Sequence, residues 1–184
     1  MARLTINALS LSSVRQAQEA LKAYRDNLDE MCRRFVVALA NKGIDVAQAN
    51  LGGFGEYITF AVDSETFDSG GARAIMYATN KSLIHVQWIG AGASYGEADI
   101  SPLLMAEFGS GLKAQKNPRG PEFGMGTGTF PGQVHAEDPE GWWYMDLNGE
   151  WHHSYGITPT MPMQNAAEEI MRQIVATARE IFGK

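Results

Sequence analysis

The chain is poor in the residues that most often carry chemistry or anchorage. It has one cysteine, Cys32, in 184 residues, so an internal disulfide framework and a cysteine-rich zinc site are both excluded. No run approaches the roughly 18 apolar residues of a membrane-spanning helix. The opening Met1-Ala2-Arg3-Leu4 lacks the apolar stretch of a signal peptide, so none is expected. Positive charge is also scarce. Fifteen Lys and Arg stand against 21 Asp and Glu, a formal net charge of −6. Independent DNA binding draws its affinity from cations that neutralise phosphates, and this balance does not supply it. There is no Gly-x-Ser-x-Gly elbow. The glycine run Gly124-Met125-Gly126-Thr127-Gly128-Thr129 lacks the Lys-Ser or Lys-Thr step of a phosphate loop, because Phe130-Pro131-Gly132 follows it.

What is present is an ordinary globular composition, 45% hydrophobic, which sets the chain apart from disordered sequences. Its length suits one domain. Val14, Ala17, Leu21, Tyr24, Leu28, Met31 and Phe35 recur at alternating steps of three and four, a heptad pattern. It predicts a helix over residues 13–41, roughly 40 Å long. Ser13 with Gln16 reads as its capping box and Gly43 as its C-cap, with Asp29–Arg33 and Glu30–Arg34 as supporting pairs. Two readings of the seam remain open: packing against the chain's own sheet and other helix, or partly against a neighbouring copy.

A β-rich stretch follows. Residues 57–62 read as a strand, and residues 73–78 and 82–89 as a hairpin around Thr79-Asn80-Lys81. Ile84, Val86 and Trp88 alternate with His85 and Gln87, so His85 is expected on a strand surface. Residues 109–132 hold seven glycines and three prolines with almost no apolar periodicity, and predict a mobile loop. Trp142-Trp143-Tyr144-Met145, the turn signal Asn148-Gly149 and residues 151–155 read as a second hairpin. Met163, Ala167, Ile170, Ile174, Ala178 and Ile181 stripe a C-terminal helix bounded by Pro162 and Gly183, with Glu168–Arg172 on its polar side. The expected fold is α+β: a small mixed or antiparallel sheet with a long N-terminal helix, a C-terminal helix and a Gly-rich central loop, forming a single domain over residues 1–184.

The most chemical-looking cluster is His152-His153 with Asp146, Glu150 and His135. Imidazoles and carboxylates suit a transition metal, and a metal-assisted hydrolase using His135, His152 and His153 is the alternative reading. Adjacent strand residues face opposite ways, however, so His152 and His153 are not expected to share an ion. No catalytic residue, metal or cofactor is therefore assigned. Trp142, Trp143, Trp151 and Tyr155 read as core or interface aromatics, or as a platform for a sugar, peptide or base.

Three segments carry a resemblance. They are Ala106-Glu107-Phe108-Gly109-Ser110-Gly111, Gly141-Trp142-Trp143-Tyr144, and residues 156–166 with Gly156-Ile157-Thr158-Pro159-Thr160-Met161-Pro162. In this order they resemble the minor tail or neck component of long-tailed, lambdoid-type bacteriophages and prophages, a tail-completion or head–tail connector family. The resemblance runs from about Ala106 to the C-terminus. It implies an α+β virion structural protein with no catalytic residues, located in the neck or tail and present in the host cytoplasm during assembly. It implies a homo-oligomeric ring, six-fold in form, that contacts head-closure, tail-terminator or tail-tube proteins. DNA would at most pass through a lumen without sequence-specific contacts. The assembly contacts it suggests are Glu107, Phe108, Gly109, Gly111, Trp142, Tyr144, Pro159 and Met161.

Overall fold

A computed structural model describes residues 10–90, 94–114 and 139–183. Helix α1 (Leu11–Ala49) is followed by a single 3-10 turn (Gly52–Phe54), strands β1 (Ile58–Thr66), β2 (Ala72–Asn80), β3 (Ile84–Ile89) and β4 (Tyr95–Ile100), helices α2 (Pro102–Phe108) and α3 (Gly111–Ala114), strands β5 (Trp142–Met145) and β6 (Trp151–Ser154), and helix α4 (Pro162–Phe182). The class is α+β: two long terminal helices with a two-stranded ribbon, β1–β2, and a four-stranded antiparallel sheet in the order β4-β3-β5-β6.

Helix α1 starts earlier and ends later than the periodicity predicts. Its cap is Ser10, whose carbonyl and hydroxyl accept from Val14 and Ser13 N–H. Gly43 does not end the helix. It lies buried inside it, where a Cβ would come within 2.7 Å of Ile170 and 3.1 Å of Met76. The glycine serves close packing rather than termination. The expected charge pairs also shift. Glu30 pairs with Arg33, and Asp29 lies 3.7 Å from Arg25 while accepting from Gly71 N–H on the ribbon tip. On α4, Arg172 pairs with Glu169, and Glu168 accepts from Gln164.

The pair of strands expected around residues 79–81 is not a hairpin. β2 pairs with β1, whereas β3 pairs with β4 and β5. The bend between them is pinned elsewhere. Asn80 donates to Ser101 Oγ and accepts from Leu103 N–H, and Lys81 N–H donates to the Tyr57 carbonyl. These bonds tie the bend to the start of α2 and the start of β1, so the chain leaves one sheet and enters the other. Strand β4, too polar to read from sequence, exists through its six-residue register with β3. Gly96 sits opposite Trp88, where a Cβ would fall 2.3 Å from the indole.

The chain divides into two compact units. One comprises residues 10–41, the ribbon tip 62–75 and the end of α4. Within it Arg25 donates to the Asp68 carbonyl, Arg73 pairs with Glu65 across the ribbon, and Phe35 meets Phe182 edge-on at 5.6 Å. The other comprises residues 42–61 and 76–172, with a core of Leu51, Ile58 and Ala106 beneath Phe54, Tyr57, Phe60, Ala78 and Leu103.

Burial along α1 is uneven. Leu39, Ala40 and Ala47 are buried, but Leu21 is 66% and Leu28 40% exposed, and Tyr24 is exposed as well. Of the heptad residues in the first half, Ala17 is buried, whereas Leu21, Tyr24 and Leu28 do not form core in the subunit. On α4 the buried positions are Pro162, Ala166 and Thr177, offset from the predicted stripe, and Ala167 and Ile174 face outward.

Candidate functional site

The densest local structure is a clasp built from three remote segments. Ser101 caps α2 by accepting from Leu104 N–H, Pro102 takes its first turn, and Gly109 ends it with φ +69° and an N–H bond to the Met105 carbonyl. The chain then meets residues 156–161. Ser110 and Ile157 exchange both backbone bonds, Ser110 N–H to Ile157 O at 2.9 Å and Ile157 N–H to Ser110 O at 3.1 Å. Thr160 and Met161 N–H both donate to the Ala106 carbonyl.

Glu107 completes the clasp. Helix α4 begins at Pro162, and the residue before it is Met161, which has no side-chain oxygen to accept its orphan N–H groups. The Glu107 carboxylate accepts instead from Met163 N–H at 2.8 Å and Gln164 N–H at 3.1 Å. An anion at a helix N-terminus is doubly favoured, by hydrogen bonding and by the helix dipole. Met161 itself takes a left-handed φ of 52°, held by its N–H bond to Ala106 and by its carbonyl bond from Asn165 N–H.

The glycines follow from crowding. At Gly156, with φ +107°, a Cβ would lie 1.8 Å from Ser110 O. At Gly111 it would lie 2.6 Å from the Trp142 ring, and at Gly141 2.3 Å from Ser154 O. Phe108, Gly109, Gly111 and Pro159 are buried, while Glu107, Trp142, Tyr144 and Met161 are partly covered. Of the eight residues suggested as assembly contacts, seven lie in or against the clasp, and Tyr144 stands on the adjoining sheet. Residues 109–111, expected to open a mobile loop, are buried and bonded. Residues 115–132 of that loop lie outside the described residues, as does His135.

The histidine cluster separates as strand geometry requires. His153 is cross-strand to Trp143 and reaches the Glu140 carbonyl at 2.9 Å, and His152 is cross-strand to Tyr144 and reaches Asp146 at 3.0 Å. The two imidazoles lie on opposite faces of β6. Ligand atoms of Asp146, Glu150 and His152 do lie within 4.8 Å of one another at the hairpin turn. Asp146 nevertheless has a structural task there. Its Oδ1 accepts from Asn148 and Glu150 N–H, and its Oδ2 holds His152. The Glu150 N–H bond above all, opposed by partial burial and aided by His152 and Asn148, holds its carboxyl below the usual carboxylate range.

No family model, no curated protein and no solved structure matches this chain. Among the described residues, no helix is long and apolar enough to cross a membrane.

Proposed function

We propose that this protein is a virion structural component acting in head–tail joining of a long-tailed bacteriophage. It would be a neck or tail-completion subunit that assembles as a ring and catalyses no reaction. The observation that carries this reading is the clasp. The segments at 106–111, 141–144 and 156–166, on which the resemblance rests, are far apart in sequence yet form one physical unit. Gly109, Gly111, Gly141, Gly156, Glu107 and Trp142 in these segments each have a steric or hydrogen-bonding reason to be where they are. A resemblance made of mutually dependent residues is less exposed to coincidence than three independent short matches.

Ring formation draws support from the first half of α1. It displays Leu21, Tyr24 and Leu28 at heptad spacing without covering them, and such a seam suits a neighbouring copy. Contacts to head-closure, tail-terminator or tail-tube proteins belong to the same proposal. The test is deletion of the gene from the phage or prophage that encodes it, followed by electron microscopy of lysates and mass spectrometry of wild-type particles. Filled heads separated from tails, with the chain present in wild-type virions, is the expected result. Normal infectious particles from the deletion would overturn the reading.

A further inference from the structure

The four-stranded sheet has one face that the clasp does not use. Cross-strand register places Tyr95 of β4, Ile89 of β3, Trp143 of β5 and His153 of β6 in a single row across it. Trp143 meets His153 edge-on at 5.0 Å, and His153 meets Tyr155 at 4.7 Å, so the aromatic surface extends along the chain just past the end of β6. The next row on the same face runs Glu97, Gln87, Met145, Trp151, and beyond it Asp99 stands opposite His85. The aromatics are open: Tyr95 is 60% exposed, Tyr155 52%, Trp143 48% and Trp151 37%.

We infer that this face binds a neutral polysaccharide. Three features select that occupant. The first is area. Aromatic side chains present roughly 150–250 Å² each, so four of them about half exposed offer about 400 Å². A stable protein partner covers about 800 Å² per side, whereas a sugar chain lying across a strip needs far less. The second is the mixture of chemistry. Pyranose rings present C–H faces that stack on aromatic rings and hydroxyls that need acceptors and donors at their edges. Here the aromatic row is flanked by Gln87, Glu97 and Asp99. His85 steadies the carboxylates, 2.9 Å from Asp99 and 3.7 Å from Glu97, and each carboxylate offers about four acceptor sites, enough to take hydroxyl donors as well. Strands about 4.8 Å apart space the row at close to the width of a sugar ring. The third is charge. Glu97 and Asp99 on the face, and −6 on the chain, oppose nucleic acids and polyuronates and leave neutral glycans.

The experiment is native affinity electrophoresis of the full chain in gels containing hydroxyethylcellulose, dextran, galactomannan or alginate. It is accompanied by size-exclusion chromatography of wild type, Trp143→Ala and Tyr95→Ala, with thermal unfolding of each. Retardation by at least one neutral polymer, lost in both variants while each keeps its folding transition, is expected. Using two variants on different strands, β4 and β5, keeps the test valid if one fails to fold. Retardation by none of the neutral polymers, or by alginate alone, overturns the inference. So does a wild-type oligomer that Trp143→Ala dissociates, because the face would then be a contact between copies.

Discussion

At the scale of single residues, the clasp is set by steric exclusion more than by attraction. Gly156 has a backbone conformation that L side chains rarely adopt, and a methyl group there would overlap the Ser110 carbonyl. Relief would require breaking the paired bonds between Ser110 and Ile157. Gly156→Ala should therefore cost at least about 2 kcal/mol, combining backbone strain with a distorted pair of hydrogen bonds. Urea unfolding monitored by tryptophan fluorescence measures this, and a loss under about 0.5 kcal/mol, the scale of ordinary surface changes, would contradict the geometry. Gly149 is the contrast. It too has a positive φ, but it meets nothing within 4 Å, so its role is the turn alone.

At the scale of elements, two joints decide how helices are held. The first is the Glu107 cap, through which α2 fixes the start of α4. Glu107→Ala leaves two N–H groups of the first turn without their acceptor and removes a favourable charge. A loss of about 1–3 kcal/mol is expected, with Glu107→Gln intermediate because one carbonyl oxygen remains. Equilibrium unfolding of the two variants side by side would show that order, and equal stability of all three proteins would not fit the cap. The second joint is the heptad seam of α1. A charge at Leu28 is expected to unfold the subunit if that seam is core, but Leu21, Tyr24 and Leu28 are exposed in the described structure. Leu21→Asp should then change stability by no more than about 0.5 kcal/mol, as surface substitutions do, while weakening association between copies. Light scattering with differential scanning calorimetry separates the effects. A collapse in Tm without change in mass would mean the residue is internal after all.

At the scale of the whole molecule, charge sets the expectation for DNA. With 21 acidic against 15 basic side chains, the overall charge balance does not favour counterion-release binding to duplex DNA. No shift of a linear duplex is expected in a gel at about 0.15 M salt, whether the protein is monomeric or assembled. A salt-sensitive shift would point to a basic patch and require a different account of any lumen. The chain forms two compact units, and helices α1 and α4 and the β1–β2 ribbon run continuously from one to the other. Burial is thin in the unit that carries the first half of α1: Ala17, Leu39, Ala40 and Thr177 are its buried residues among those described.

Local patterns alone determined much of this protein. Heptad and 3.6-residue periodicity gave both long helices because helical faces are written in neighbouring residues. Asn148-Gly149 gave the β5–β6 hairpin because a two-strand turn depends on a few backbone angles. The short helix α2, capped by Ser101 with Pro102 in its first turn, was not among the expected elements, because seven residues are too few to show a period. Tertiary structure decided the rest. The bend after β2 reads as a hairpin turn until Asn80 finds Ser101 and Leu103. β4 is polar and becomes a strand only beside β3. Gly43 looks like a helix end and is a packing notch for Ile170. Glu107 is an ordinary helical glutamate until α4 arrives more than 50 residues later. In each case the deciding partner is distant in the chain, and short-range propensity holds no information about which acceptor, ring or backbone will stand opposite a residue once the chain has folded.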